Sequence, residues 1–161
     1  MNSDTGSNQI RTLITRALKM RESSYCHYSG YAVGACAECS DGTMYDGCNI
    51  ENASYGLTVC AERVAVFKAV SDASGSGSET KGNDLRKTGK EIVRIAIAGG
   101  KKGEEPDGYA YPCGACRQVL REFGKESLEI IIAKSEDDYN VTTLERLLPD
   151  SFGPEHLKEV Q

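Results

Sequence analysis

The segments IVRIAIA at Ile92–Ala98, CGACRQVLREF at Cys113–Phe123 and EIIIA at Glu129–Ala133 decide the fold. The outer two are short apolar runs rich in isoleucine, each bounded by polar residues or glycine, as buried strands are. The segment between them reads as a helix. Strand, helix and strand in that order make a crossover unit. Working outward, apolar residues at Ile10, Leu13, Ile14, Ala17 and Leu18 follow the i, i+3, i+4, i+7, i+8 spacing of a helix with one buried stripe. Tyr31 to Glu38 and Thr43 to Ile50 flank Ser40-Asp41-Gly42 and read as a hairpin around an Asp-Gly turn. From Cys60 to Val70 the small and apolar residues Ala61, Val64, Ala65, Phe67, Ala69 and Val70 suit a helix packed closely on a sheet. The sum is an α/β sandwich whose later strands are joined by crossover helices.

Residues 71–90 differ from everything around them. They carry Gly75, Gly77, Gly82 and Gly89 among Ser, Lys and Thr, too little apolar surface to order a core, and read as a flexible surface insertion. Motif residues lie on both sides of it, so it is no domain boundary. A length of 161 residues fits one domain over residues 1–161.

Composition excludes several classes of function. Hydrophobic residues make up 39% and charged residues 27%, the balance of a soluble globular chain. No apolar run approaches the roughly 20 residues of a membrane span. Met1 to Gln9 lacks the basic and apolar regions of a secretory signal, so the expected location is the cytoplasm. Seven cysteines, an odd number with no sign of an oxidising compartment, fit reduced thiols or metal ligands better than a disulfide framework. A net charge of −5 repels phosphate backbones and leaves a small neutral ligand as the natural partner, with neither nucleic acid nor membrane expected.

Chemistry concentrates in two short motifs. Pro112-Cys113-Gly114-Ala115-Cys116 sets two thiols one helical turn apart on one face, close enough to hold one ion. Cys60-Ala61-Glu62-Arg63 places a third thiol at another helix start, with a carboxylate two residues on. The positive end of a helix dipole favours the thiolates that zinc requires. Three protein ligands without an obvious fourth match a catalytic zinc, whose open position holds water and lowers its pKa. Glu62 is then the candidate to move that water's proton. Three thiolates on a divalent ion leave one negative charge, and Arg63 is placed to compensate it.

With these motifs in view, the chain resembles the small, homotetrameric cytidine deaminases. The resemblance runs from about Ile10 to Leu157. It rests on Tyr28-Ser29, Val33-Gly34-Ala35, Cys48-Asn49-Ile50-Glu51-Asn52-Ala53, Cys60-Ala61-Glu62-Arg63, Pro112-Cys113-Gly114-Ala115-Cys116-Arg117-Gln118 and Leu147-Leu148-Pro149. Zinc deaminases as a class pair such a cysteine-held zinc with a glutamate that is not a ligand. The resemblance implies a three-layer α/β/α sandwich with a mixed central sheet, and zinc-dependent hydrolysis of cytidine and deoxycytidine to uridine and deoxyuridine plus ammonia, a step of pyrimidine salvage. It further implies that Asn49 and Glu51 bind the sugar 3′-hydroxyl, that the Ala61 backbone N–H meets the pyrimidine, and that Tyr31 walls the base. Tyr55 and Phe152 match aromatic positions that complete a neighbouring subunit's pocket, which implies a homotetramer. The chain departs from the family at His27 and Ala32, where prolines are usual, and at Tyr31, where phenylalanine is usual.

Other readings compete. Cys36 and Cys39 form a second Cys-x-x-Cys and, with Cys113 and Cys116, would make a closed structural zinc site in a binding module. A strand through Cys36 opposes this, because i and i+3 on a strand point to opposite faces. Deaminases of RNA or DNA commonly have histidine where Cys60 stands and need a basic path for the strand. Antibiotic deaminases and other nucleoside deaminases share the metal frame and remain alternatives for the substrate.

Overall fold

In the computed structural model, residues 3–73 and 90–160 are described. Their elements are α1 (Ser3–Met20), β1 (Tyr31–Cys39), β2 (Met44–Cys48), α2 (Ala61–Ala73), β3 (Ile92–Lys101), α3 (Gly114–Phe123), β4 (Gly124–Ala133), β5 (Tyr139–Thr143) and α4 (Leu144–Leu147). The strands form one sheet in the order β2-β1-β3-β4-β5. Only the β3–β4 pair, which α3 connects, is parallel; the other pairs are antiparallel, so the sheet is mixed.

The sheet separates two cores. Leu13, Ile14 and Ala17 of α1 pack with Cys36, Ala96, Ala98, Ile131 and Ala133 on one face. On the other, Ala61, Ala65, Val66 and Ala69 of α2 and Leu120 of α3 pack with Ala35, Ile95, Ile97, Ile130 and Ile132. This is the three-layer sandwich. Cys36 and Cys39 fall in opposite cores, the alternation expected of a strand.

Two glycines set how closely the helices approach the hairpin. A Cβ on Gly34 would stand 2.0 Å from the Ala17 carbonyl oxygen of α1, and one on Gly47 would stand 2.3 Å from the Ala61 carbonyl oxygen of α2. The head of α2, with its motif residues, therefore rests directly on the β2 backbone. The hairpin turn is fixed by Asp41, whose carboxylate accepts the Thr43 N–H at 3.0 Å and its hydroxyl at 2.5 Å, and Gly42 takes the left-handed step.

Several elements exceed the sequence expectation. β3 continues through Gly99, Gly100 and Lys101, paired with Tyr31 to Val33, because ladder pairing needs no apolar side chain. β4 begins at Gly124, opposite Ile92, and reaches its apolar run only after a register shift. β5 is a short polar edge strand with no buried side chain and thus no apolar alternation to read. Ser71–Ala73 extend α2, so the expected insertion starts inside a helix; its remainder, 74–89, lies outside the described residues. Among the described residues no helix is long and apolar enough to cross a membrane.

Candidate active site

The two motifs meet at the heads of α2 and α3. Cys60 caps α2, its carbonyl accepting the Val64 N–H at 3.2 Å, and Cys113 caps α3, its carbonyl accepting the Arg117 N–H at 3.0 Å. Cys116 follows one turn into α3 and is buried. The sulfurs of Cys113 and Cys116 lie 3.4 Å apart and those of Cys60 and Cys113 3.8 Å apart. All three fall within 4.8 Å of one another, and among the described residues they are the one such group of potential ligands. Cys36 and Cys39 take no part in it.

The electrostatics favour an ionised sulfur at Cys60. Hydrogen bonding from the Cys116 thiol, then from Arg63 and Cys113, lowers the Cys60 thiol to about 5, whereas sharing with Cys60 and burial push the Cys116 thiol up. Glu62, second in α2, is 4% exposed, and burial raises its carboxyl above the ordinary range. Arg63 donates through Nη2 to the Thr58 carbonyl at 2.9 Å and reaches the Cys60 sulfur at 3.7 Å. Its Nε–H is buried without a hydrogen-bond partner. A guanidinium held in that state beside three thiols fits a site whose sulfurs are thiolates on a divalent cation, since the complex carries one net negative charge. The donor set therefore suits zinc.

A second group of residues surrounds Asn49 and Glu51, just beyond β2. The Asn49 side chain is 8% exposed and largely occupied. Its Oδ1 accepts from the Ser24 hydroxyl at 2.5 Å and the Val33 N–H at 2.8 Å, and its Nδ2 donates to the Tyr31 carbonyl at 2.9 Å. These bonds leave one N–H of the amide, so what Asn49 has left to offer is a donor. Glu51 lines an open cleft of about 370 Å³ with Tyr28, Ser29, Tyr55 and Thr58. Hydrogen bonds from Ser29 and the Tyr28 N–H hold its carboxyl below the ordinary range. Thr58 on the cleft wall is tied to the thiols by hydrogen bonds, its carbonyl holding Arg63, which reaches the Cys60 sulfur.

The remaining expected residues are distributed around these groups. Tyr31 opens β1 half-exposed, its ring and hydroxyl over Gly99. Ala61 is fully buried at the first position of α2. Tyr55 is 73% exposed, its ring 5.7 Å from that of Tyr28. Phe152, 59% exposed, is not among the residues lining the cleft. It is nevertheless firmly placed: its carbonyl accepts from Gln118 at 3.0 Å and its ring stacks on His156 at 5.2 Å. Arg121 packs over Gly153, donates to Ser151 at 3.0 Å and pairs with Glu155. The helix that carries Cys113 and Cys116 thus also fixes the arm that carries Phe152. Ser24, Ser29, Thr58 and Arg121 had no assigned role in the sequence. Only Ser29 had a signal there, its place in the Tyr28-Ser29 block.

Comparison with known proteins agrees with this geometry. A family model, the cytidine and deoxycytidylate deaminase zinc-binding region, matches residues 7–132. The chain belongs to the cytidine deaminase family. A cytidine deaminase of Sporosarcina psychrophila is 39% identical over 148 residues, covering 92% of this chain and 94% of the relative. One from Halalkalibacterium halodurans is 37% identical over 91% of this chain and 96% of its own length. The crystal structure of cytidine deaminase from Burkholderia pseudomallei superimposes with a TM-score of 0.67 at 40% identity, covering 88% of this chain and 97% of that one. Zinc is accordingly the cofactor of this family member, and the thiol cluster is the place the described residues offer it.

Proposed function

We propose that this chain hydrolyses the exocyclic C–N bond of cytidine and deoxycytidine, adding water at C4 and releasing ammonia with uridine or deoxyuridine. The observation that carries the reading is the convergence of Cys60, Cys113 and Cys116 at two helix heads with the buried Glu62 carboxyl beside them. Zinc held by the three sulfurs supplies a Lewis acid that makes water a nucleophile near neutral pH. Glu62 moves the protons: it takes one from the attacking water and delivers it to N3 as the C4–O bond forms, then takes the second from the hydroxyl now on C4 and gives it to the amine, which leaves as ammonia as the C4 carbonyl forms. Arg63 offsets the excess thiolate charge.

Recognition of the nucleoside follows from the donors and acceptors left free. The spare N–H of Asn49 donates to the sugar 3′-oxygen and Glu51 accepts the 3′-proton, so the pair demands a group that is both acceptor and donor, a hydroxyl. The N–H of Ala61, at the first helical position, has no intrahelical partner and is available to the pyrimidine. Tyr31 walls the base. Tyr55 and Phe152, exposed yet fixed, complete the pocket of a neighbouring copy in a homotetramer. Residues 1–161 act as one domain in the cytoplasm, in pyrimidine salvage, a placement supported by the seven free cysteines.

The test presents zinc-loaded protein with cytidine, deoxycytidine, cytosine, adenosine and CMP, following ultraviolet absorbance and ammonia release. Turnover of the two cytosine nucleosides with little of the other three is expected. Preference for adenosine or free cytosine overturns the assignment.

A further inference from the structure

The carboxylate of Glu51 is held by the turn that leads into β1. The Ser29 hydroxyl donates to Oε1 at 2.5 Å, while the backbone N–H groups of Tyr28 and Ser29 reach Oε2 at 2.8 and 3.3 Å. Two successive N–H groups converging on one oxygen form a backbone nest for an anion. Gly30, at φ +68°, supplies the left-handed step that closes the turn, its N–H bonded to the Cys26 carbonyl and its carbonyl to the Lys102 N–H, both at 2.9 Å.

The orientation of the Ser29 hydroxyl is forced. Its oxygen already accepts the Tyr31 N–H at 2.9 Å, so its single proton goes to Glu51. One hydroxyl therefore bridges the carboxylate that lines the cleft and the first residue of β1. The nest alone fixes one carboxylate oxygen and leaves the group free to turn about it. The Ser29 bond removes that freedom by fixing the second.

We propose that Ser29 is a positioning residue for substrate recognition, aiming Glu51 at the sugar 3′-hydroxyl and holding it in register with Tyr31 at the base. The proposal rests on the reading of Glu51 as the acceptor of the 3′-proton. Ser29 touches no reacting atom, so its removal weakens sugar binding and leaves the chemistry at C4 in place.

The experiment measures kcat and KM of the zinc-loaded full chain, and of its Ser29→Ala and Ser29→Thr variants, on cytidine and on 3′-deoxycytidine. Loss of one hydrogen bond to a charged group corresponds to a rise in KM for cytidine of about tenfold in Ser29→Ala, with kcat within about twofold. The constants for 3′-deoxycytidine, which has no 3′-hydroxyl to recognise, stay within about twofold, and Ser29→Thr recovers the original KM by keeping the hydroxyl. A Ser29→Ala enzyme that discriminates the two substrates as well as the unaltered chain, or that loses both equally, overturns the proposal. If the unaltered chain itself uses both substrates equally, the role of Glu51 fails first and Ser29 has nothing to position.

Discussion

Substituting alanine at Gly47 and at Gly34 separates what holds the sandwich together from what places the site. The two glycines lie on paired strands and face opposite layers. At Gly47 the new methyl would meet the Ala61 carbonyl oxygen at 2.3 Å and the Ala65 nitrogen at 2.5 Å, where ordinary contact begins at 3.4 Å. Both obstacles are backbone, so the head of α2 must retreat by about 1 Å, and displacements of that size in catalytic groups cost on the order of 100-fold in rate. At Gly34 the methyl would meet the Ala17 carbonyl oxygen at 2.0 Å, also backbone, but α1 carries none of the proposed site residues. Overpacking costs about 1–3 kcal/mol in either case. Thermal unfolding of the zinc-loaded variants, paired with turnover well below their melting temperatures, makes the comparison. Gly34→Ala is expected to melt lower while keeping turnover within a few-fold, about the spread of an untouched site. Gly47→Ala is expected to melt lower and lose about 100-fold. Full turnover in a folded Gly47→Ala, or equal losses in both, would refute the placement of the site by α2.

Three further outcomes are expected. Metal analysis should find about one zinc per chain in Cys36→Ser and a large loss in Cys113→Ser, since Cys36 is buried under α1 and away from the thiol cluster. Glu62→Gln should keep zinc and cytidine binding while turnover falls by on the order of 10²–10⁴-fold, measured on one preparation, because the amide keeps the shape and moves no proton. Hydrogen bonds from the Thr43 hydroxyl and N–H hold the Asp41 carboxyl at about 2, below its ordinary value of 3.8. The stability this confers is present above the ordinary value and lost as pH falls from about 4 through 2. After allowance for solvent screening at this exposed turn it amounts to about 1 kcal/mol, so urea melts of Asp41→Asn should show a correspondingly smaller loss over that range.

The sequence carried the frame and the chemistry more fully than the support around them. Apolar spacing located the stripe of α1, and isoleucine-rich runs located the buried parts of β3 and β4. No such signal exists for β5, whose side chains remain partly or wholly exposed, or for the glycine end of β3. The two thiols of Cys113 and Cys116 are legible from local spacing, but Cys60 lies 53 residues away, and no periodicity connects it to them. Its motif and the family resemblance supplied that link. Ser24 and Thr58 were silent because the one anchors Asn49 with its hydroxyl and the other anchors Arg63 with its backbone carbonyl, a group every residue type possesses.

These supports explain how the proposed sugar-binding pair and the three thiols are placed relative to one another. Asn49 is bonded to the backbone of both Tyr31 and Val33, and Glu51 is tied through Ser29 to Tyr31, so both proposed recognition groups are referred to the start of β1. The three thiols proposed to hold zinc are referred instead to the heads of α2 and α3. Gly47 brings α2 against β2, which pairs with β1 from Gly34↔Cys48 onward, and Thr58 carries the connection from Arg63 to the cleft wall. In the proposed reading, sugar recognition and bond cleavage are therefore set by different elements that meet across one strand pair. A substitution at Ser29 should register in KM, whereas one at Gly47 should register in kcat.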